Sequence, residues 1–242
     1  LVFRRLTHQL AVLATHDALT RALNRNGLEE ALRRHFGQRG ASPLAWLVVD
    51  IDHFKGINDA HGHGTGDKVL LAVAQVLLHH VRAGDFVART GGEEFVVGCV
   101  AVEPGAAARL AERLRHEVQA LRVPLRTQAE PLRCTVSIGR SAPFHEPARW
   151  EAALRDADTA MYRAKALGKG RSEVFDAEMR EQVIERMQLD TALRLAVERH
   201  EFVPFFQPIV DLQTGKLYGF ESLIRWDRPG HGIIGPGDFV NL

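Results

Sequence analysis

Apolar residues recur at helical spacing at Val2, Leu6, Leu10 and Leu13, with Arg4 and Arg5 between them, which predicts an incoming linker helix over 1–15. Asp17 and Thr20 offer cap chemistry ahead of a second amphipathic stretch, Asn26 to Phe36, which stops near Gly37 and Gly40. The apolar run from Leu44 to Val49 is too short for a stable helix and ends at Asp50. It predicts a buried strand that delivers carboxylates at its end. His53 to Asp67 is dense in Gly, His, Asn and Asp and is expected as a loop, after which helical periodicity resumes from Val69 to His80. Phe86 to Arg89 and Phe95 to Val100 flank Thr90-Gly91-Gly92-Glu93 as the strands of a hairpin would.

Farther along, Pro104 to Leu121 reads as a helix, Leu132 to Ile138 as a strand, Trp150 to Leu167 as a helix closed by Gly168, and Arg171 to Phe175 as a last strand. A polar helical stretch from Asp176 to Arg199 reads as a connector. Two strand-like runs follow, Phe202 to Asp211 and Leu217 to Trp226, on either side of the turn Gln213-Thr214-Gly215. Periodicity alone therefore predicts mixed α and β structure, and 242 residues suit one complete domain plus a fragment. The first residue is Leu and the last falls in mid-pattern, so an excerpt of a longer protein is expected.

Composition narrows the function classes. With 45% hydrophobic and 25% charged residues the chain can bury a sizeable core. Its 31 basic and 30 acidic residues nearly cancel, so no overall field draws it to nucleic acid or to an anionic membrane. Cys99 and Cys134 lie in apolar stretches without metal-ligand spacing and read as buried thiols of a reducing, cytoplasmic compartment. The longest apolar stretch, Val69 to Leu78, is broken by Gln75 and is too short to cross a bilayer. No membrane span is expected in this chain, and anchoring of a longer parent stays open.

Candidate chemistry lies in two acidic clusters. Asp50-Ile51-Asp52-His53-Phe54-Lys55 puts two carboxylates at alternate positions at a strand end, facing one side, with a Lys after them. That arrangement suits Mg²⁺, which takes one or two protein carboxylates and keeps room for phosphate oxygens. Gly91-Gly92-Glu93-Glu94-Phe95 sets two more carboxylates at a hairpin tip whose glycines leave the backbone open to a ligand. A solvated strand end explains the first cluster alone, and an ordinary Gly-Gly turn the second. Their occurrence together favours a polyphosphate site.

These residues, with Asp17-Ala18-Leu19-Thr20, Asn24-Arg25, Ile57-Asn58-Asp59, Gly62-His63, Gly66-Asp67, Arg89-Thr90, Val136-Ser137-Ile138-Gly139 and Ala157-Asp158, resemble the GGDEF family of diguanylate cyclases over about 16–175. The resemblance implies an α/β palm, a mostly antiparallel sheet flanked by helices as in nucleotide cyclases. It also implies an enzyme that condenses two GTP into cyclic di-GMP and two pyrophosphates in bacterial second-messenger signalling. Mg²⁺ or Mn²⁺ would be held by the Asp50 carboxylate, the Ile51 carbonyl and the Glu93 carboxylate. Glu93 or Glu94 would help deprotonate the attacking 3′-hydroxyl, and Lys55 would offset charge on the transferring phosphate. Asn58 and Asp67 would read the guanine edge, with His63 lining the pocket, while Lys165 and Lys169 would hold the β- and γ-phosphates. Lys at i and i+4 near a helix C-terminus also simply favours the dipole.

Arg82-Ala83-Gly84-Asp85, five residues before Gly91, resembles the family's product-inhibition site; a loop salt bridge is the plainer alternative. Two departures stand out. Arg21-Ala22 replaces the usual Gly and apolar residue, and Lys169-Gly170 replaces a cation followed by Asn. One GTP pocket per domain implies a homodimer as the active species. The alternative function is a silent GTP- or cyclic di-GMP-binding module that controls an adjoining phosphodiesterase.

After a connecting helix over 176–199, residues 200–242 resemble the start of EAL-type cyclic di-GMP phosphodiesterases through Phe205-Phe206-Gln207-Pro208-Ile209-Val210-Asp211, Thr214-Gly215 and Gly219-Phe220-Glu221-Ser222-Leu223-Ile224-Arg225-Trp226. Glu221 would ligate metal, and Gln207 and Arg225 would contact substrate. The later acidic ligands of that family would fall beyond Leu242, so this fragment is expected to be an incomplete barrel without hydrolytic activity of its own.

Overall fold

The computed structural model describes residues 12–101, 103, 105–125, 130–177, 189 and 191–239. Two compact units divide the chain, Leu1–Arg180 and Glu181–Leu242. In the first, the elements run α1 (Arg25–Phe36), β1 (Leu44–Ile51), α2 (Phe54–His61), α3 (His63–His80), β2 (Phe86–Gly91), β3 (Glu94–Val100), α4 (Ala106–Ala120), β4 (Val136–Arg140), α5 (Trp150–Ala166) and β5 (Ser172–Val174). The sheet order is β2-β3-β1-β4-β5, antiparallel except for the β4–β5 pair. This is the mixed α/β, mostly antiparallel sheet flanked by helices that the resemblance implies.

All eight residues of β1 are buried because helices cover both faces of the sheet. Ala45, Leu47, Val49 and Ile51 join one core with Phe54 and Ile57 of α2, Val69 and Val73 of α3, and Leu114 and Val118 of α4. Leu44, Trp46 and Val48 join the other with Leu28 and Leu32 of α1 and Ala157 and Met161 of α5. Alternation of side chains along a strand gives each face its own core. At the second face α5 comes so close to β4 that a Cβ on Gly139 would stand 2.0 Å from the Ala157 carbonyl oxygen. Only glycine permits that approach.

Three expectations need correction. His53 to Asp67 is not a loop. His53 takes a left-handed conformation, α2 starts at Phe54, and Gly62 (φ 78°) turns the chain straight into α3. Phe54 and Ile57, three residues apart, carry α2 into the core, and its polar composition hides so short an apolar face. The cap of α1 is Asn24, whose side chain accepts from Gly27 N–H, whereas Asp17 caps its own turn by accepting from Thr20 N–H and Oγ1. Strand β4 begins at Val136, because Leu132 instead bridges back to Val123.

Residues 12–15 are helical, and 1–11 of the expected linker helix lie outside the described residues. Of the connector, 191–198 are helical, while 178–188 and 190 lie outside the described residues.

The second unit holds a three-stranded antiparallel sheet, β6 (Phe202–Val210), β7 (Leu217–Arg228) and β8 (Gly232–Ile234), of which the last was not expected. Asp211 shapes the turn between the first two by accepting from Gln213 N–H, Thr214 N–H and Thr214 Oγ1. The core is small: Trp226 is fully buried against Ala196 and Phe239, with Phe202 beside it, and its Nε1 donates to Glu201 Oε2 at 2.9 Å. Among the described residues no helix is long and apolar enough to cross a membrane. Cys99 and Cys134 are buried free thiols, and burial pushes each up to about 11.

Candidate active site

The sheet and α5 bring four carboxylates and one ammonium to a single end of the first unit. Asp50 lies opposite Glu94 across the β1–β3 ladder, and both extend the face that carries Trp46, Val48 and Val96 toward α5. In the last turn of α5, Lys165 places its Nζ 2.7 Å from Asp50 Oδ2. Asp50 is 3% exposed. Burial drives its carboxyl up to about 6; the Lys165 hydrogen bond and charge pull it back, and Glu93 and Glu94 push it further. The Glu94 carboxyl is also raised, first by desolvation and then by Asp158, with Lys165 opposing. Asp158, itself raised by burial, lies seven residues before Lys165, two helical turns back on the same side of α5.

Four acidic groups sharing one ammonium leave a surplus of negative charge and hard oxygen donors. Among the described residues, no three His, Cys, Asp or Glu side chains form a ready metal cage. A Mg²⁺ ion needs none, since it usually keeps several waters and takes one or two carboxylates together with phosphate oxygens. The donor set fits such an ion, with Lys165 in contact with one of the oxygens concerned. Ile51 turns its side chain into the opposite core, so it has only its backbone to offer.

Glu93 occupies the hairpin tip, half-buried, beside Gly92 at φ 43°. Arg89 fixes that tip: its Nε and Nη2 donate to the Gly92 carbonyl at 2.9 and 2.7 Å, and its Nη1 donates to Asp17 Oδ1 at 3.1 Å. Burial alone would raise Asp17, yet the bonds from Thr20 and Arg89 hold it below its ordinary value.

The predicted base-reading residues lie on α2 and α3. Asn58 Oδ1 is buried without a hydrogen-bond partner, and it faces Gly66, where a Cβ would meet it at 2.0 Å. A buried orphan acceptor is costly unless a ligand or water completes it. His63 opens α3 and Asp67 follows one turn later, both exposed. Lys55, exposed in the first turn of α2, sits where a cation gains nothing from the helix dipole. Lys169 takes a left-handed conformation (φ 61°) in the turn after α5.

Arg82 and Asp85 form a closed knot. The Asp85 side chain, 2% exposed, accepts from Val100 N–H and Arg82 N–H, and the Arg82 guanidinium donates to the Val100 carbonyl. In the second unit Gln207 and Glu221 face each other across the ladder on one side of the sheet. On that side the Arg225 guanidinium lies 5.6 Å from the centre of the Phe205 ring.

Sequence reading quoted Asp158 and Arg89 in the resemblance but gave neither a role. Seven-residue spacing to Lys165 is the signal for the first; the pairing of the second with Asp17 had none in spacing, because the two are 72 residues apart.

The family model described as diguanylate cyclase, GGDEF domain, matches residues 14–171, and that of the EAL domain matches 190–242. The bifunctional diguanylate cyclase/cyclic di-GMP phosphodiesterase MucR of Pseudomonas aeruginosa is 39% identical over 98% of this chain and 35% of its own length. The cyclic di-GMP phosphodiesterase PdeR of Escherichia coli is 33% identical over 98% of this chain and 35% of its own. The chain thus spans about a third of the length of these relatives. Among solved structures, the coiled coil and GGDEF domain of DgcB from Caulobacter crescentus in complex with c-di-GMP matches with TM-score 0.65 and 32% identity, over 71% of this chain and 91% of that one. Diguanylate cyclase SiaD of Pseudomonas aeruginosa, in complex with its activator SiaC, matches with TM-score 0.63 and 31% identity, over 72% and 66%.

Proposed function

Because the chain belongs to the GGDEF family of diguanylate cyclase domains over 14–171 and continues into an EAL domain over 190–242, we propose that its first unit joins two GTP into cyclic di-GMP. The observation that carries this reading is the acidic end of the sheet, where Asp50, Glu94 and Asp158 gather at Lys165 and Glu93 lies near Asp50 and Glu94. That charge excess suits a divalent cation bound with a polyphosphate.

In each half-reaction the 3′-oxygen of one GTP attacks the α-phosphorus of the other, the bond to the β-phosphate oxygen breaks, and pyrophosphate leaves. Asp50, Glu93 and the Ile51 carbonyl would hold Mg²⁺ or Mn²⁺, which when bound offsets phosphate charge and lowers the pKa of the attacking hydroxyl. Glu94, its carboxyl already raised, accepts the hydroxyl proton. Lys165 and Lys169 take the β- and γ-phosphates, and Lys55 offsets charge gathered during transfer. Asn58 supplies a buried acceptor and Asp67 a second one for the guanine edge, next to His63. A buried polar group left unpaired by adenine would set the preference for GTP.

Two such sites must face each other, so the active form is a homodimer aligned by the helix that ends at 15. At the product site Arg82 is the reachable partner, with 51% of its side chain exposed, while Asp85 is occupied by Val100. Glu221, Gln207 and Arg225 would serve the EAL domain of the longer protein as metal ligand and substrate contacts.

The test is to incubate the purified chain with GTP and Mg²⁺ over a dilution series and identify the product by mass spectrometry. Cyclic di-GMP is expected, with specific activity falling on dilution as the dimer parts. GTP bound without turnover at every concentration would replace this reading with that of a regulatory module.

A further inference from the structure

Asp52 follows Asp50 by two residues, yet its surroundings are of another kind. It is 3% exposed. Its carboxylate accepts from Thr135 Oγ1 at 2.7 Å, Ser137 Oγ at 2.6 Å and Gly170 N–H at 3.0 Å, while its own N–H donates to the Thr135 carbonyl. An ionised carboxylate offers about four acceptor positions. Three are taken by protein donors, and the fourth has almost no access to solvent.

The third bond reaches the turn that ends α5. Gly168, Lys169 and Gly170 have φ of 109°, 61° and 60°, so three successive residues hold left-handed conformations, unfavourable for Lys169. Within the turn, Gly168 N–H donates to the Lys165 carbonyl and Lys169 N–H to the Ala164 carbonyl, which tie it to its own helix only. Asp52 ties it to the end of β1 through Gly170 N–H, and Arg115 Nη1 donates to the Gly170 carbonyl from α4 at 3.3 Å. Both sides of one residue are thus gripped. Lys165 stands five residues before that grip and Lys169 one residue before it.

We propose that Asp52 is a positioning residue rather than a metal ligand: it locks the turn after α5 to the end of β1 and thereby sets where Lys165 and Lys169 meet the triphosphate. The inference rests on the reading of those lysines as phosphate-binding. It assigns the two acidic residues of one strand end opposite duties. Asp50 stands among other charges, and Asp52 is spent on hydroxyl and amide donors.

Calorimetric titration of the full chain in Mg²⁺ decides the matter, with two ligands: a GTP analogue carrying a methylene between the α- and β-phosphorus atoms, and GMP. Asp52→Ala should weaken the analogue about tenfold or more, as expected for loss of hydrogen bonds to a charged group, and leave GMP unchanged. Asp52→Asn keeps an acceptor for Gly170 N–H and should bind the analogue nearly as the wild type does. Equal weakening of both ligands, or of neither, in a variant that melts like the wild type overturns the proposal. If Asp52→Ala fails to fold, Thr135→Val combined with Ser137→Ala strips the hydroxyl donors and should give the same selective loss to a smaller degree; no loss there also overturns it. Wild-type protein that binds neither ligand would remove the nucleotide-binding reading itself, and this inference with it.

Discussion

Both units present acidic residues on antiparallel strands, but only the first takes one of them, Asp50, out of water. In the first, β1 has a helical layer on each face, so Asp50 at its end is buried, carries a carboxyl raised to about 6 and meets Lys165 at 2.7 Å. In the second, Glu221 and Gln207 sit opposite each other on a sheet that leaves Phe205, Phe206, Tyr218 and Phe220 exposed. The strands are alike in kind, and the difference lies in what covers them. A carboxylate becomes a chemical group of unusual character when its hydration is exchanged for fixed neighbours.

The largest expected effect tests the first half of this contrast. Glu93→Gln should lower cyclic di-GMP formation by about a thousandfold or more, the loss of one metal ligand, while thermal melting stays that of the parent. Turnover near the parent rate would show that the enclosed acidic end is not where the chemistry happens.

Trp226→Ala tests the second half. It removes the only large side chain that is fully buried in the described part of the small core, and large-to-small changes of this type cost about 3–5 kcal/mol. The second unit should lose its cooperative melting while GTP turnover persists. Loss of both together would mean that the two units are not separable in stability.

Burial of Asp50 also predicts a pH dependence. A carboxyl raised from 3.8 to about 6 holds its proton more tightly folded than unfolded. Stability from this group is therefore fully present below 3.8 and is lost as pH rises through about 6, by at most about 3 kcal/mol. Thermal melts of metal-free protein at a series of pH values should show that loss, and Asp50→Asn should flatten it. An identical pH profile in the variant would remove Asp50 as its source.

The smallest effect concerns Arg21, which has φ 64°. Left-handed conformation costs a side-chain-bearing residue about 1 kcal/mol, so Arg21→Gly should raise the melting temperature by a few degrees through the first unit alone. No change, or a shift in the second unit's transition, would contradict that assignment.

Much of this molecule was legible in its residues. The apolar run before Asp50, the Gly-Gly hairpin and the helix closed by Gly168 announce β1, the β2–β3 turn and α5, because alternation, turn chemistry and helix termination are local properties. The family resemblance singled out Asp50, Glu93, Asn58 and Asp67 as candidates through ordered motifs. What failed was local composition without tertiary context: the polar stretch from His53 to Asp67 became two helices because Phe54, Ile57 and Val69 find a core that only the folded sheet supplies.

The sequence by itself determined which residue types were on hand and most of the segments that would be strands or helices. Pattern and spacing alone could not separate Asp50 from Asp52, which share one strand end and one chemistry, although the family resemblance singled out Asp50. Only the tertiary structure gives them different surroundings: Gly139 admits α5 close to the sheet and Lys165 then reaches Asp50, while Thr135, Ser137 and Gly170 close around Asp52 from up to 118 residues away. The physical reason is that desolvation and hydrogen-bond geometry depend on distance in space, and separation along the chain does not report it.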